Sequence, residues 1–109
     1  MTRKLYVIWT NPIFRDSVRL LLNHPDVNWV GTTSDYGLAK ENISLLQPDT
    51  VVIEQEESFV PSPIMEALEA NAKDFRLIVV NLSDNKLRVF HREQWVITVE
   101  SDLLNLVLN

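Results

Sequence analysis

The chain has 109 residues, the length of one compact domain rather than two, and long enough to bury roughly 65% of the surface its unfolded form exposes. With 46% hydrophobic and 23% charged residues it reads as a soluble globular protein, and the absence of Cys excludes disulfides, thiolate zinc sites, iron–sulfur clusters and cysteine nucleophiles. The only two glycines, Gly31 and Gly37, cannot build a Gly-rich phosphate loop, His24 and His91 are too far apart to suggest a metal cage, and a net charge of −5 argues against general nucleic-acid or anionic-membrane binding.

The basic start, Arg3-Lys4, precedes an apolar run that stops at Asn11-Pro12. This is too short for a signal peptide, and no later segment approaches a membrane span, so the expected location is the cytoplasm. Leu5 to Trp9 is a β-branched and aromatic run, hence a buried strand. Asn11 followed by Pro12 starts a helix, with Phe14, Val18, Leu21 and Leu22 on one face and Arg15, Asp16 and Arg19 on the other side. His24-Pro25-Asp26 ends it, His24 serving there as a cap favoured by the helix dipole. Val27 to Thr32 is a second strand. Ser34 or Asp35 caps a second helix, whose Ala39, Ile43 and Leu46 share a face, and Pro48-Asp49 breaks it. Thr50 to Ile53 is an uninterrupted apolar strand, the pattern of a parallel strand covered on both faces.

Glu54 to Val60 reads as a polar loop. Ser62-Pro63 repeats the cap-plus-Pro device for a third helix lined by Met65, Leu68 and Ala72, and Leu77 to Val80 is a fourth buried strand. Ser83 to Val99 reads as a β-ribbon: Leu87 and Val89 alternate with Lys86 and Arg88, and Trp95 to Val99 forms its second arm. The rival for that segment is a short helix from Ser83 with Leu87 and Phe90 inward. Ser101-Asp102 caps a last helix carrying Leu104 and Val107. Alternating strands and helices with short connections imply a parallel sheet covered on both faces: an α/β, flavodoxin-like three-layer sandwich of strand order 2-1-3-4-5, with the ribbon replacing the helix after strand 4. Any site in such a sheet lies outside the carboxyl ends of strands 1, 3 and 4.

Three segments resemble receiver (CheY-like) domains of bacterial two-component response regulators: Asn11-Pro12-Ile13-Phe14-Arg15-Asp16, Val30-Gly31-Thr32-Thr33-Ser34-Asp35, and Leu46-Gln47-Pro48-Asp49-Thr50-Val51-Val52-Ile53-Glu54. The resemblance covers about residues 4 to 81. It implies a site where two acidic residues after strand 1 and an acceptor Asp after strand 3 hold Mg²⁺, with a Ser or Thr ending strand 4 and a Lys ending strand 5. Here the acidic pair maps to Trp9 and Thr10, the acceptor to Glu54 and the hydroxyl position to Asn81, and no Lys or Arg follows Arg92. Taken together these departures describe a degenerate pseudo-receiver with no metal and no cofactor.

Glu54 reads two ways: as a charge held further out in imitation of a phosphorylated Asp, or as a solvated carboxylate at a strand end, part of an acidic patch with Glu56 and Glu57. Trp9 reads as an apolar plug in the place of a hydrated acidic hole, or as a stacking platform for a ligand. Asn81 either bonds a backbone loop or lies at the surface. Lys86, Arg88, His91 and Arg92 concentrate positive charge, either as an anion or acidic-partner site or as guards of an exposed edge strand. No Ser-His-Asp order or carboxylate pair near a His suggests hydrolysis, so the chain is not expected to be an enzyme.

The favoured function is a non-catalytic receiver-like signalling module that works by protein–protein interaction, since a chain of this length without an output domain has to pass a signal to a partner or to a second copy. The expected contact surface comprises Lys86, Arg88, Phe90, Arg92 and Trp95 of the ribbon, and Leu103, Leu106 and Leu108 of the last helix, with a homodimer through this region as the structural expectation. The alternative is a small-molecule or nucleotide-binding flavodoxin-like domain using the crevice at the sheet's switch point. A third reading is an active receiver with Glu54 or Asp49 as acceptor.

Overall fold

The computed structural model describes residues 2–55, 60–71, 73–81, 86–90, 97–99 and 103–108. The elements run β1 (Arg3–Ile8), α1 (Pro12–Leu21), β2 (Val27–Thr33), α2 (Tyr36–Leu46), β3 (Thr50–Gln55), α3 (Ser62–Ala70), β4 (Arg76–Asn81), β5 (Lys86–Phe90), β6 (Ile97–Val99) and α4 (Leu103–Leu108). They build one sheet of order β2-β1-β3-β4-β5-β6. The first four strands are parallel, β5 adds antiparallel to β4, and β6 adds antiparallel to β5. The flavodoxin-like order 2-1-3-4-5 is therefore present, with the ribbon continuing the sheet after β4. The antiparallel turn of β5 follows from a connection too short to hold the crossover that a parallel strand would need.

Period-two alternation sends the strand residues to two separate layers. Leu5, Val7, Val52, Ile78 and Val89 pack under α1 and α4 with Phe14, Val18 and Val107. Tyr6, Ile8, Val51, Ile53, Leu77, Val79 and Phe90 pack under α2 and α3 with Ile43, Ile64 and Leu68. Each fully buried aliphatic contributes about 1.5–3 kcal/mol by leaving water. A β-bulge shifts the β1–β2 register between Leu5 and Tyr6, passing over Val30 and setting Gly31 against Tyr6. A Cβ at Gly31 would come within 2.8 Å of the fully buried Tyr6 ring, so only glycine fits.

Local signals explain the helix ends. Asn11 accepts the Ile13 N–H at 2.8 Å and Pro12 occupies the first turn of α1; Asp35, rather than Ser34, caps α2 by accepting from the Leu38 N–H at 3.0 Å. α2 ends on Gln47 in the left-handed region at φ 49°, with its side-chain amide donating to the Ser44 carbonyl.

Several expectations are corrected. Leu21 is 62% exposed, because each four-residue step advances about 40° around the helix and the stripe Phe14–Val18–Leu22 drifts away from it. Ser62 does not cap α3: Pro61 holds that position and its carbonyl accepts the Ile64 and Met65 N–H groups, leaving Ser62 and Pro63 inside the first turn. α3 ends at Ala70, short of Ala72, which lies outside the described residues. His24 is not a dipole cap, since its Nδ1 accepts the Asp26 N–H at 3.0 Å. Finally, Glu54 and Gln55 are not loop: they continue β3, paired with Val80 and Asn81.

Candidate functional site

The carboxyl ends of β1, β3 and β4 meet at one edge of the sheet, where Trp9 and Thr10 follow β1, Glu54 and Gln55 end β3, and Asn81 ends β4. Three of these are buried polar side chains: Glu54 at 1%, Asn81 at 5% and Gln55 at 8% exposure. A buried carboxylate is costly unless hydrogen-bonded. Glu54 Oε1 accepts the backbone N–H of Thr10 at 2.9 Å and that of Asn11 at 3.0 Å. Both amides precede the first turn of α1, where the helix dipole also favours negative charge. The solvated-carboxylate reading of Glu54 is thereby corrected, and so is the reading in which its charge reaches outward. The strand delivers the buried carboxylate to an amide pair at the start of α1, and Glu56 and Glu57 lie outside the described residues.

Tyr36, at the first position of α2, feels the same charge. Burial, and then the Glu54 carboxylate, push its phenol above the ordinary value of 10.0. Trp9 donates its backbone N–H to the Thr33 carbonyl at 3.1 Å, while its half-buried indole packs on the layer under α1 with the Arg15 guanidinium 4.8 Å from the ring centroid. The indole Nε1 is buried and meets no acceptor among the described residues. Asn81 is buried opposite Gln55 and Lys86, which corrects its surface reading. Asp49 immediately precedes β3, at the opposite, amino edge of the sheet. There it accepts from Lys73 Nζ at 2.6 Å and from the Lys4 N–H at 2.8 Å, which removes it as an acceptor at the carboxyl edge.

The structure thus brings Thr10, Glu54 and Asn81 to one edge, as the sequence mapping requires, and joins Thr10 to Glu54 through a backbone N–H. That partner was invisible in the sequence, because a main-chain donor carries no residue identity. The expected contact surface fares differently. Phe90 and Leu103 are each only 8% exposed and belong to the core, because β5 is an integral strand and α4 lies on the sheet. Arg88 is half-buried, paired with Val79 on one side and Thr98 on the other. Since β6 covers β5, Arg88 guards no sheet edge. Strand position is described for Lys86 and helix position for Leu106; His91, Arg92 and Trp95 lie outside the described residues. Leu108 is half-buried, and its carbonyl accepts from Arg3 Nε at 3.3 Å. No group of three or more His, Asp or Glu gathers among the described residues to hold a metal ion, and no helix there is long and apolar enough to cross a membrane.

No family model and none of the curated proteins compared with the chain matches it. Among solved structures, the signal receiver domain of NarL from Mycobacterium tuberculosis, described as a response regulator, is similar at a TM-score of 0.62 and 22% identity. The match covers 73% of this chain and 66% of that one, so the chain spans slightly less than two thirds of its structural relative. The sheet order, the two helical layers and this likeness agree that the chain has the fold of a receiver domain.

Proposed function

We propose that this chain is a receiver-like signalling module that acts by binding another protein and has lost Mg²⁺-dependent aspartyl phosphorylation. The observation that carries the reading is the inward-turned Glu54 carboxylate, whose Oε1 is already taken by the Thr10 and Asn11 amides. The residues at the carboxyl edge do not fit a magnesium ion. That ion asks for oxygen ligands in near-octahedral array, usually with more than one anionic group. Trp9 and Thr10 stand where the resemblance implies carboxylates, and the remaining carboxylate has exchanged a cation for two backbone donors. The charge at this edge is balanced from within. No nucleophile–base pair accompanies it among the described residues, and the module is read as non-catalytic and cofactor-free.

A protein partner is favoured over a homodimer through the C-terminal region, because Phe90 and Leu103 are spent on the core. The module is read as cytoplasmic and without direct nucleic-acid binding. Incubation with acetyl phosphate and MgCl₂, followed by intact mass measurement, is expected to leave the mass unchanged. A gain of one phosphoryl group would overturn the reading.

A further inference from the structure

Two guanidinium–indole stacks stand along α1, one helical turn apart: Arg15 over Trp9 and Arg19 over Trp29, each 4.8 Å from the ring centroid. Arg15 is also paired with Asp16 at 3.1 Å. Arg19 has no ion pair among the described residues, although the chain carries a net charge of −5. Stacking occupies the face of a guanidinium and leaves its in-plane N–H fork for a planar carboxylate. It also holds the side chain in place, so less freedom is lost when that bond forms.

Beside this fork lies an open cavity of about 380 Å³, lined by Arg19, Leu22, Asn23, His24, Val27 and Trp29. The His24 Nδ1 accepts the Asp26 N–H, which puts the ring proton on Nε2 and makes that nitrogen a second donor. Leu20 and Leu21 are 79% and 62% exposed next to it, an aliphatic surface adjoining a fixed cation. A cation in the last turn of α1 also offsets the helix dipole, but any cationic side chain at that position serves, and the indole stack adds nothing to it. The last carbonyls there are in part occupied already, since Val18 and Leu20 accept the Leu22 and Asn23 N–H groups.

We propose that this cavity, at the end of α1 remote from Glu54, receives an acidic side chain of an amphipathic segment of a partner protein. The carboxylate lies on the Arg19 fork and its aliphatic neighbours lie on Leu20 and Leu21. The Arg19 fork and the His24 Nε2 donor complement a carboxylate, and repulsion between two chains that each carry −5 disfavours a second copy as its source. The proposal rests on the partner-binding reading but uses nothing at the carboxyl edge, so phosphorylation by acetyl phosphate would sink that reading and leave this surface standing.

The test titrates the full chain with a short peptide alternating Glu and Leu, followed by amide NMR, with a Lys/Leu peptide and free glutamate as controls. Shifts confined to the Arg19–Trp29 segment are expected for the Glu/Leu peptide alone. Arg19→Glu should weaken binding at least about tenfold, and Arg19→Lys should weaken it while leaving the melting temperature unchanged. Absence of shifts, or equal affinity in Arg19→Glu or Arg19→Lys, overturns the proposal. So do equal shifts with free glutamate, which would make the site one for a small anion. The same shifts on concentrating the protein alone would assign the surface to a second copy and overturn it as well.

Discussion

The Glu54 carboxylate has exchanged bulk water for two amides at the start of α1, and its removal deletes both charge-assisted bonds. Glu54→Ala is expected to cost about 2 kcal/mol, from the charge-assisted bonds it loses. Glu54→Gln keeps an accepting oxygen at the same reach and should cost about 1 kcal/mol. Urea unfolding measures both as shifts of the midpoint with unchanged slope. An Ala variant as stable as the parent would show that the carboxylate is solvated after all. Trp9 and Thr10 act here through position more than side-chain type. The Thr10 backbone N–H serves Glu54 and the Trp9 backbone N–H serves Thr33, while the Trp9 indole is turned to the α1 layer.

Among the elements, β5 decides how the C-terminal part is built. It pairs with β4 from Leu77–Phe90 to Asn81–Lys86, and its alternation feeds Val89 to one layer and Phe90 to the other. Phe90 is therefore a core residue of the layer under α2 and α3, and Phe90→Ala is expected to destabilise the whole domain by about 3 kcal/mol. Thermal unfolding followed by circular dichroism should show a single transition moved to lower temperature. A variant with an unchanged transition would place Phe90 on the surface, where the sequence alone put it. The ribbon itself was legible from the alternation of Leu87 and Val89 with Lys86 and Arg88. Which of its faces is buried was not, because both faces carry apolar residues and only the neighbouring strand and helix settle which side is covered.

Across the whole molecule, the amino edge of the sheet is tied by Asp49, whose side chain bonds the Lys4 N–H of β1 and Lys73 Nζ, and whose carbonyl accepts the Arg76 N–H of β4. Burial alone would raise its carboxyl, but the hydrogen bond and charge of Lys73, the Lys4 N–H and the Arg3 charge together hold it below the ordinary value of 3.8. The folded group then holds its proton less tightly than the unfolded one. The unfolded state takes up more protons as pH falls below about 4, and the stabilisation is lost on passing through the folded value. Asp49→Asn should cost about 1–2 kcal/mol near neutral pH, discounted for partial exposure, with the two stability curves converging on acidification. Parallel curves across that range would remove Asp49 from the acid response.

The amino-acid sequence by itself determined the element order, the helix starts at Asn11-Pro12 and at Ser34 or Asp35, the buried strands and the fold class, because periodicity, capping and Pro placement act within a few residues of chain. It also located the carboxyl-edge positions Thr10, Glu54 and Asn81, since strand ends in a parallel sheet converge. Only the tertiary structure decided what those positions do. The amides that meet Glu54 lie 43 and 44 residues away in the chain, and the burial of Phe90 and Leu103 depends on which elements close over them. Such contacts are set by how layers pack, and local sequence carries no record of them.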